Sequence, residues 1–403
     1  MLARCNALAR LSDLPGGLTR VFLSPEQRAV NALVLGWMRE AGMDTHLDAI
    51  GNAVGRFEGE RPGLPCLILG SHLDTVRDAG KYDGMLGVVT AIECVHALNA
   101  AGKRLPFAIE VIGFGDEEGV RFGTTLLGSR AVAGTFRQEA LEALDRDGVS
   151  LGEAMRKFGL DRARIGEAAH RREDVLAYAE LHIEQGPVLE AEGLPVGVVT
   201  AINGATRLAI EVEGFAGHAG TVPMNLRRDA LAAAAECVLA IERRCGGVAE
   251  LVGTVGKLET LPGAVNVIPG KARFTIDIRS PRDSERLAAV SGVIADMQAI
   301  ATRRSVALKV AKTHEGGVAK CAPWLQEQIG AAIAAEGLPV RSLPSGAGHD
   351  GMAMIDLCDI GMLFVRCEKG ISHNPAEAIT AEDAATGARV FLRFIENFRM
   401  QLR

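Results

Sequence analysis

The chain has 403 residues, 48% hydrophobic and 23% charged, with a formal net charge of −6. That length exceeds the roughly 250–300 residues at which a single core stops growing, so two domains are expected. The acidic balance, with no Lys/Arg-rich block, argues against nucleic-acid binding. The most apolar helical stretch, Leu231 to Ile241, carries Glu236 and is too short for a bilayer, and Met1 to Asn6 opens no apolar segment of secretory length. Eight scattered cysteines without a Cys-x-x-Cys pair indicate neither a disulfide framework nor a zinc ribbon. Free thiols in a cytoplasmic protein are the expectation, with no membrane and no nucleic acid as partner.

Residues 25–43 place Val30, Leu33, Val34, Trp37 and Met38 at helical spacing before Gly42. Leu64 to Leu69 is a short apolar run stopped by Gly70, the pattern of a buried strand, and it delivers Ser71-His72-Leu73-Asp74-Thr75. A helix is expected from Gly84, with Met85, Val88, Val89, Ile92, Val95 and Leu98 on its buried side and Gly102 past its end. Phe107 to Phe114 reads as a second strand, running into Gly115-Asp116-Glu117-Glu118-Gly119. Residues 137–172 are charged and weakly patterned, as surface helices would be. Val175 to Ile183 returns to the core and delivers His182-Ile183-Glu184-Gln185-Gly186. Strands alternating with helices predict an α/β fold with a mostly parallel sheet covered on both faces.

The pattern changes near residue 205. A strand from Thr206 to Glu213, a helix from Arg227 to Arg243, strands Glu250–Leu258 and Ala272–Ile278, a helix from Ser284 to Thr302 and a strand from Ser305 to Lys312 give the order β-α-β-β-α-β. That order predicts a ferredoxin-like sandwich. It is closed in itself, so residues 205–316 read as a domain inserted between 1–204 and 317–403, with Asn203-Gly204 and Gly316-Gly317 as hinges. Helix, strand and helix signals return after residue 320, and Met362 to Arg366 leads into Gly370-Ile371-Ser372-His373-Asn374-Pro375.

His72, Asp83, Glu117 or Glu118, His182 and His373 each follow an apolar strand-like run or open the helix after one. In an open parallel sheet such positions converge beyond the carboxyl ends of the strands. Three imidazoles and two or three carboxylates exceed what one tetrahedral zinc needs, and fit two metals sharing a carboxylate. Taken singly each has a plainer reading: Asp83 as the N-cap of the next helix, His72 as a strand-end histidine, Asp116-Glu117-Glu118 as a solvated turn.

Five motifs in order, Gly70 to Gly84, Asp116 to Gly119, Leu181 to Glu190, Gly217 to Met224 and Ser372 to Glu377, resemble the dizinc amidohydrolase and peptidase superfamily of aminoacylases and metallocarboxypeptidases. Within it they are most similar to the ureido-hydrolysing branch of allantoate amidohydrolases and N-carbamoyl-L-amino-acid hydrolases. The resemblance covers essentially the whole chain. It implies a dimetal exopeptidase-like catalytic domain whose inserted ferredoxin-like domain serves as lid and dimerisation surface. It also implies two divalent ions per subunit, zinc or manganese with cobalt or nickel also compatible. His72 and His182 would hold one ion, Glu118 and His373 the other, and Asp83 would bridge them while capping its helix. Asp74 would orient His72 through the ring N–H, and Glu117 would be the general base. Peptidase relatives commonly carry an acid where this chain has His182, which favours the carbamoyl-cleaving branch.

The same resemblance marks substrate residues: Arg279 as a carboxylate clamp, Asn266 and Gln185 as hydrogen-bonding partners, and Gly348 in the loop Gly346–Asp350, where His349 is structural. An ion pair with Asp277 or Glu211 is the competing reading for Arg279. His218 would reach the active site of a second subunit and stabilise an oxyanion there, which requires at least a homodimer. The expected substrate is a small ureido acid, allantoate by preference because Val76 stands where many carbamoylases have Gln. N-carbamoyl-L-amino acids are the alternative, and a peptidase or aminoacylase activity the more distant one.

Overall fold

Residues 1–400 are described by a computed structural model of the chain, and their strands form a large mixed sheet, a five-stranded sheet and a two-stranded ribbon. Two units result: residues 1–200 with 320–403, and residues 201–319.

In the first unit the strand order is Asp44–Leu47, Ala53–Phe57, Ala108–Phe114, Cys66–His72, Val175–Ile183, Ile360–Val365, Val196–Ile202 and Ala319–Lys320, with Ser342–Ser345 beside Val196–Ile202. Its centre is parallel: Cys66–His72 lies between Ala108–Phe114 and Val175–Ile183, and Ile360–Val365 follows. Every residue of Cys66–His72 and Ala108–Phe114 is buried, as expected of strands covered on both faces. The flanks are antiparallel. The hairpin Asp44–Phe57 has no counterpart in the expected elements, because its outer strand is short and alternates exposed and half-buried residues.

Helix Pro25–Glu40 starts where Ser24 accepts a hydrogen bond from the Gln27 N–H, and Thr380 starts Ala381–Asn397 in the same way through Asp383. Helix Met85–Ala100 is apolar on nearly every side, and Met85, Val88, Val89, Ile92, Val95 and Leu98 are all buried. Residues 137–172 are more than a surface layer. Helices Gln138–Glu142, Leu151–Lys157 and Arg162–Ala168 enclose a small core of Leu141, Leu151, Met155, Phe158 and Ile165.

In the second unit Ala307–Gly316, Gly204–Glu213 and Lys271–Ser280 lie side by side, followed by Val252–Thr254 and Leu258–Leu261, all antiparallel. Helices Ala230–Gly246 and Asp283–Arg303 cover one face, packing Ala234, Cys237, Ile241, Val293 and Met297 onto Leu208, Ile210, Phe274 and Ile276. The connectivity is β-α-β-β-α-β, with the second strand in two pieces. Gly256 interrupts the expected Glu250–Leu258 run, as glycine within a strand often does. Gly204 pairs with Ser280 and Gly316 with Ala205, so two of the three glycines read as hinges are ladder residues. Among the described residues no helix is long and apolar enough to cross a membrane.

Candidate metal centre

The carboxyl ends of the four parallel strands meet at one site. His72 ends Cys66–His72, Glu117 and Glu118 follow Ala108–Phe114, His182 precedes the last residue of Val175–Ile183, and His373 follows Ile360–Val365. Asp83 stands among them. Its Oδ1 lies 3.3 Å from His72 Nε2 and 3.1 Å from His182 Nε2. Its Oδ2 lies 3.2 Å from His373 Nε2, which is 3.5 Å from Glu118 Oε1. Two potential ligand groups therefore share one carboxylate: His72, Asp83 and His182, and Asp83, Glu118 and His373. His72, His182 and Asp83 are buried, whereas His373 is half-exposed.

The imidazoles are oriented to present lone pairs. His72 Nδ1 is 3.0 Å from the Asp74 carbonyl oxygen, and His182 Nδ1 is 2.9 Å from that of Ile183. A carbonyl only accepts, so each Nδ1 carries the hydrogen and each Nε2 faces an Asp83 oxygen. The Gly84 N–H also points at His182 Nε2, 3.1 Å away. Lone pairs opposed to a carboxylate repel unless a cation lies between them. Where no cation intervenes a proton on Nε2 takes its place: burial alone would raise Asp83, yet hydrogen bonds from the protonated His182, His373 and His72 hold it well below the usual carboxylate range. Burial would lower His72, and Asp83 with Glu117 instead raises it well above its ordinary value. The pocket is built for positive charge, and its mixed imidazole and carboxylate donors fit two divalent ions.

One role read from sequence is corrected, and a second is given its atoms. Asp83 caps no helix: Met85–Ala100 begins at Gly84 with no side-chain cap, and the Asp83 carboxylate turns to the histidines. Gly84 has φ +67°, and a Cβ there would lie 2.5 Å from the His72 ring, so only glycine fits between the ligands. Asp74 meets His72 chiefly through its backbone oxygen, its Oδ1 being 3.7 Å from the ring nitrogen. Its carboxylate instead accepts the N–H groups of Glu117 and Glu118, at 3.1 and 3.2 Å. Asp74 thus ties the first histidine to the acidic turn.

Glu117 and Glu118 are only partly exposed. Burial, opposed by His72 but reinforced by Glu118, Asp350 and Asp74, pushes Glu117 well above the usual range. Glu118 is pushed up to about 7, again first by burial. Gly348 lies beside Glu117, whose Oε1 would be in ordinary contact, at 3.6 Å, with a Cβ at that position. Gln185 donates from Nε2 to Asp83 Oδ2 at 2.9 Å and to Ser372 Oγ at 3.2 Å.

Three supports were not picked out from sequence. Ser372 Oγ lies 2.9 Å from Asp83 Oδ2 and 3.0 Å from Glu377 Oε2. Glu377 Oε1 accepts the N–H groups of Tyr82 and Asp83, at 2.7 and 3.2 Å. Glu180, two residues before His182 and so on the same strand face, is fully buried and accepts from Ser71 Oγ at 2.8 Å and Tyr178 OH at 2.9 Å. The nearness of Ser372 and Glu377 to His373 in the chain was the one available signal. His349 packs edge-on against the His182 ring, with centroids 4.5 Å apart, and its Nε2 is 2.7 Å from Ser345 Oγ.

His218, Asn266 and Arg279 belong to the second unit. Gly217–His218 pairs with Val267–Ile268, the Asn266 carbonyl accepts the Ala219 N–H at 3.0 Å, and both His218 and Asn266 are exposed. Arg279 forks onto Asp277, with Nε 3.0 Å from Oδ1 and Nη2 2.9 Å from Oδ2. Of the two sequence readings for Arg279, the ion pair is the one its side chain adopts here.

Known proteins share this architecture. The N-carbamoyl-L-amino acid amidohydrolase of Geobacillus stearothermophilus is 44% identical over 375 residues, 93% of this chain and 92% of that protein. The allantoate deiminase of Arabidopsis thaliana is 39% identical over 429 residues, 98% of this chain and 81% of that one. A solved amidase of the hydantoinase/carbamoylase family from Burkholderia multivorans superposes with a TM-score of 0.92 at 32% identity, covering 98% of this chain and 96% of that one. The description Peptidase family M20/M25/M40 matches residues 68–397, a span that includes His72, Asp83, Glu118, His182 and His373. With sequence, fold and a shared-carboxylate cluster in agreement, the chain belongs to peptidase family M20/M25/M40.

Proposed function

We propose that this protein is a dimetal amidohydrolase that cleaves the C–N bond of a linear ureido acid, allantoate first, releasing ammonia. The observation that carries this reading is the Asp83 carboxylate, whose two oxygens face separate ligand groups while Glu117 stands beside them. His72 and His182 would hold one ion, Glu118 and His373 the other, with Asp83 between. Bound there, two divalent ions supply acidification of the attacking water and polarisation of the ureido carbonyl. Glu117 accepts the proton of that water and returns it to the leaving nitrogen. Gln185 and Ser372 hold Asp83 in register. Gln185, Asn266 and Gly348 contact the substrate, and Arg279 exchanges the Asp277 carboxylate for that of the substrate, to which guanidinium binds in the same forked way.

Val76 and the relatives named as allantoate deiminases support allantoate. The 44% identity to an N-carbamoyl-L-amino acid amidohydrolase favours that class as the second reading. Protein loaded with manganese or zinc is expected to release ammonia from allantoate faster than from any of several N-carbamoyl-L-amino acids. Turnover of the carbamoyl amino acids alone would reverse the order.

The active form is proposed to be a homodimer in which His218 of one subunit stabilises the oxyanion in the other. The exposure of His218 and Asn266 supports this, as does the outermost strand Ala307–Gly316, exposed along most of its length. Sedimentation of active enzyme should give the dimer mass, and a fully active monomer would remove His218 from the mechanism. All eight cysteines are free and buried, which supports a reducing, cytoplasmic location.

A further inference from the structure

Among the described residues Arg20 and Arg286 are the largest fully buried side chains, and Arg20 has 0% of its surface exposed. A guanidinium in that position usually pairs with a carboxylate. Here its hydrogen-bond partners are backbone oxygens and a thioether. Nε donates to the Leu73 carbonyl at 2.8 Å, Nη1 to those of Leu8 and Leu11 at 2.9 and 3.0 Å, and Nη2 points at Met85 Sδ. Burial pushes the group down to about 10, still protonated at neutral pH.

The Arg20 backbone adds a second hold. Its N–H donates to Thr75 Oγ1 and its carbonyl accepts the Thr75 N–H, each at 2.9 Å. Just before Arg20 in the chain, the Leu18 carbonyl accepts the Ala79 N–H at 2.7 Å and Thr19 Oγ1 the Asp78 N–H at 2.9 Å. Segment 18–20 is therefore laced to the loop that runs from His72 towards Asp83. Arg20 grips the residue before Asp74 with its side chain and the residue after it with its main chain.

Asp74 is the residue whose backbone oxygen meets His72 and whose carboxylate holds the Glu117 and Glu118 amides. From this bracketing we infer that Arg20 is a positioning residue of the metal centre: by fixing Leu73 and Thr75 it sets Asp74, and through Asp74 the aim of His72 and of the acidic turn. The inference rests on the dimetal reading above. A methionine would fill much the same volume without burying a charge. What the guanidinium adds is a rigid fan of N–H donors joining three stretches of chain.

The test is the affinity of metal-free protein for Zn²⁺, by competition with a chromophoric chelator, alongside thermal melts and the kcat and KM of loaded enzyme. Arg20→Met and Thr75→Val are expected to weaken Zn²⁺ binding by about 10–100-fold, the usual effect of losing a group that orients a ligand. The fall in activity should lie in kcat more than in KM, and Arg20→Lys should recover part of the affinity. A brace with no such role would lower the melting temperature and leave Zn²⁺ affinity and kcat of the folded protein unchanged, and that result overturns the inference. Should Arg20→Met fail to fold, Thr75→Val decides by the same criterion, because it keeps the side-chain shape and removes only the hydroxyl. Wild-type protein that takes up no Zn²⁺ would instead overturn the dimetal reading itself, and the inference with it.

Discussion

Asp83→Ala is expected to strip both metal ions from the protein and reduce turnover to background. The reason is the division of labour between its two oxygens, Oδ1 towards His72 and His182 and Oδ2 towards His373. Removing a ligand on one side, as in His373→Ala, takes one donor from one group and leaves the His72 and His182 group intact. Removing Asp83 takes a donor from both, leaving two imidazoles on one side and His373 with Glu118 on the other. The loss should exceed the ~10–100-fold typical of groups that only orient a ligand. Metal analysis after dialysis reads the result directly: two ions per chain in the wild type, none in Asp83→Ala, and a partial loss in His373→Ala. An Asp83→Ala protein that keeps one tightly held ion would mean that the carboxylate is not shared.

Much of this centre was legible because parallel strands bury both faces. Cys66–His72, Ala108–Phe114, Val175–Ile183 and Ile360–Val365 are apolar runs, so polar residues directly after them stand out. The hairpin Asp44–Phe57 offered no such contrast. Which oxygen a residue uses is not written in its identity: Asp74 takes the His72 ring N–H on its carbonyl and leaves its carboxylate to the Glu117 and Glu118 amides. Asp83 looked like a helix cap because it precedes a glycine and an apolar helix, but its carboxylate faces the three histidines. Glu377 sits 294 residues along the chain from the Asp83 amide it accepts, and only the fold joins them. Arg20 was invisible for a different reason: an arginine before a short apolar stretch reads as an ordinary surface charge, and nothing local distinguishes one that is wholly buried. The β-α-β-β-α-β order of elements in residues 201–319 was legible, while the break at Gly256 and the pairing of Gly204 and Gly316 depend on partner strands.

Glu117→Gln separates chemistry from metal binding. Glutamine keeps the size of the side chain and leaves the Glu117 N–H free to donate to Asp74 Oδ1, so the turn that carries Glu118 should stay in place. None of the contacts between Asp83 and His72, His182 or His373 involves the Glu117 side chain. The variant is therefore expected to hold two ions per chain, melt close to the wild type and bind substrate with little change in KM. What it lacks is a group that takes a proton from water and passes it to the leaving nitrogen. Loss of a general base typically costs ~10²–10⁴-fold, and the whole of that loss should appear in kcat. The pair of variants thus gives opposite signatures: Asp83→Ala loses activity together with metal, and Glu117→Gln loses activity with metal retained. Substantial residual turnover in fully loaded Glu117→Gln would take Glu117 out of the proton path.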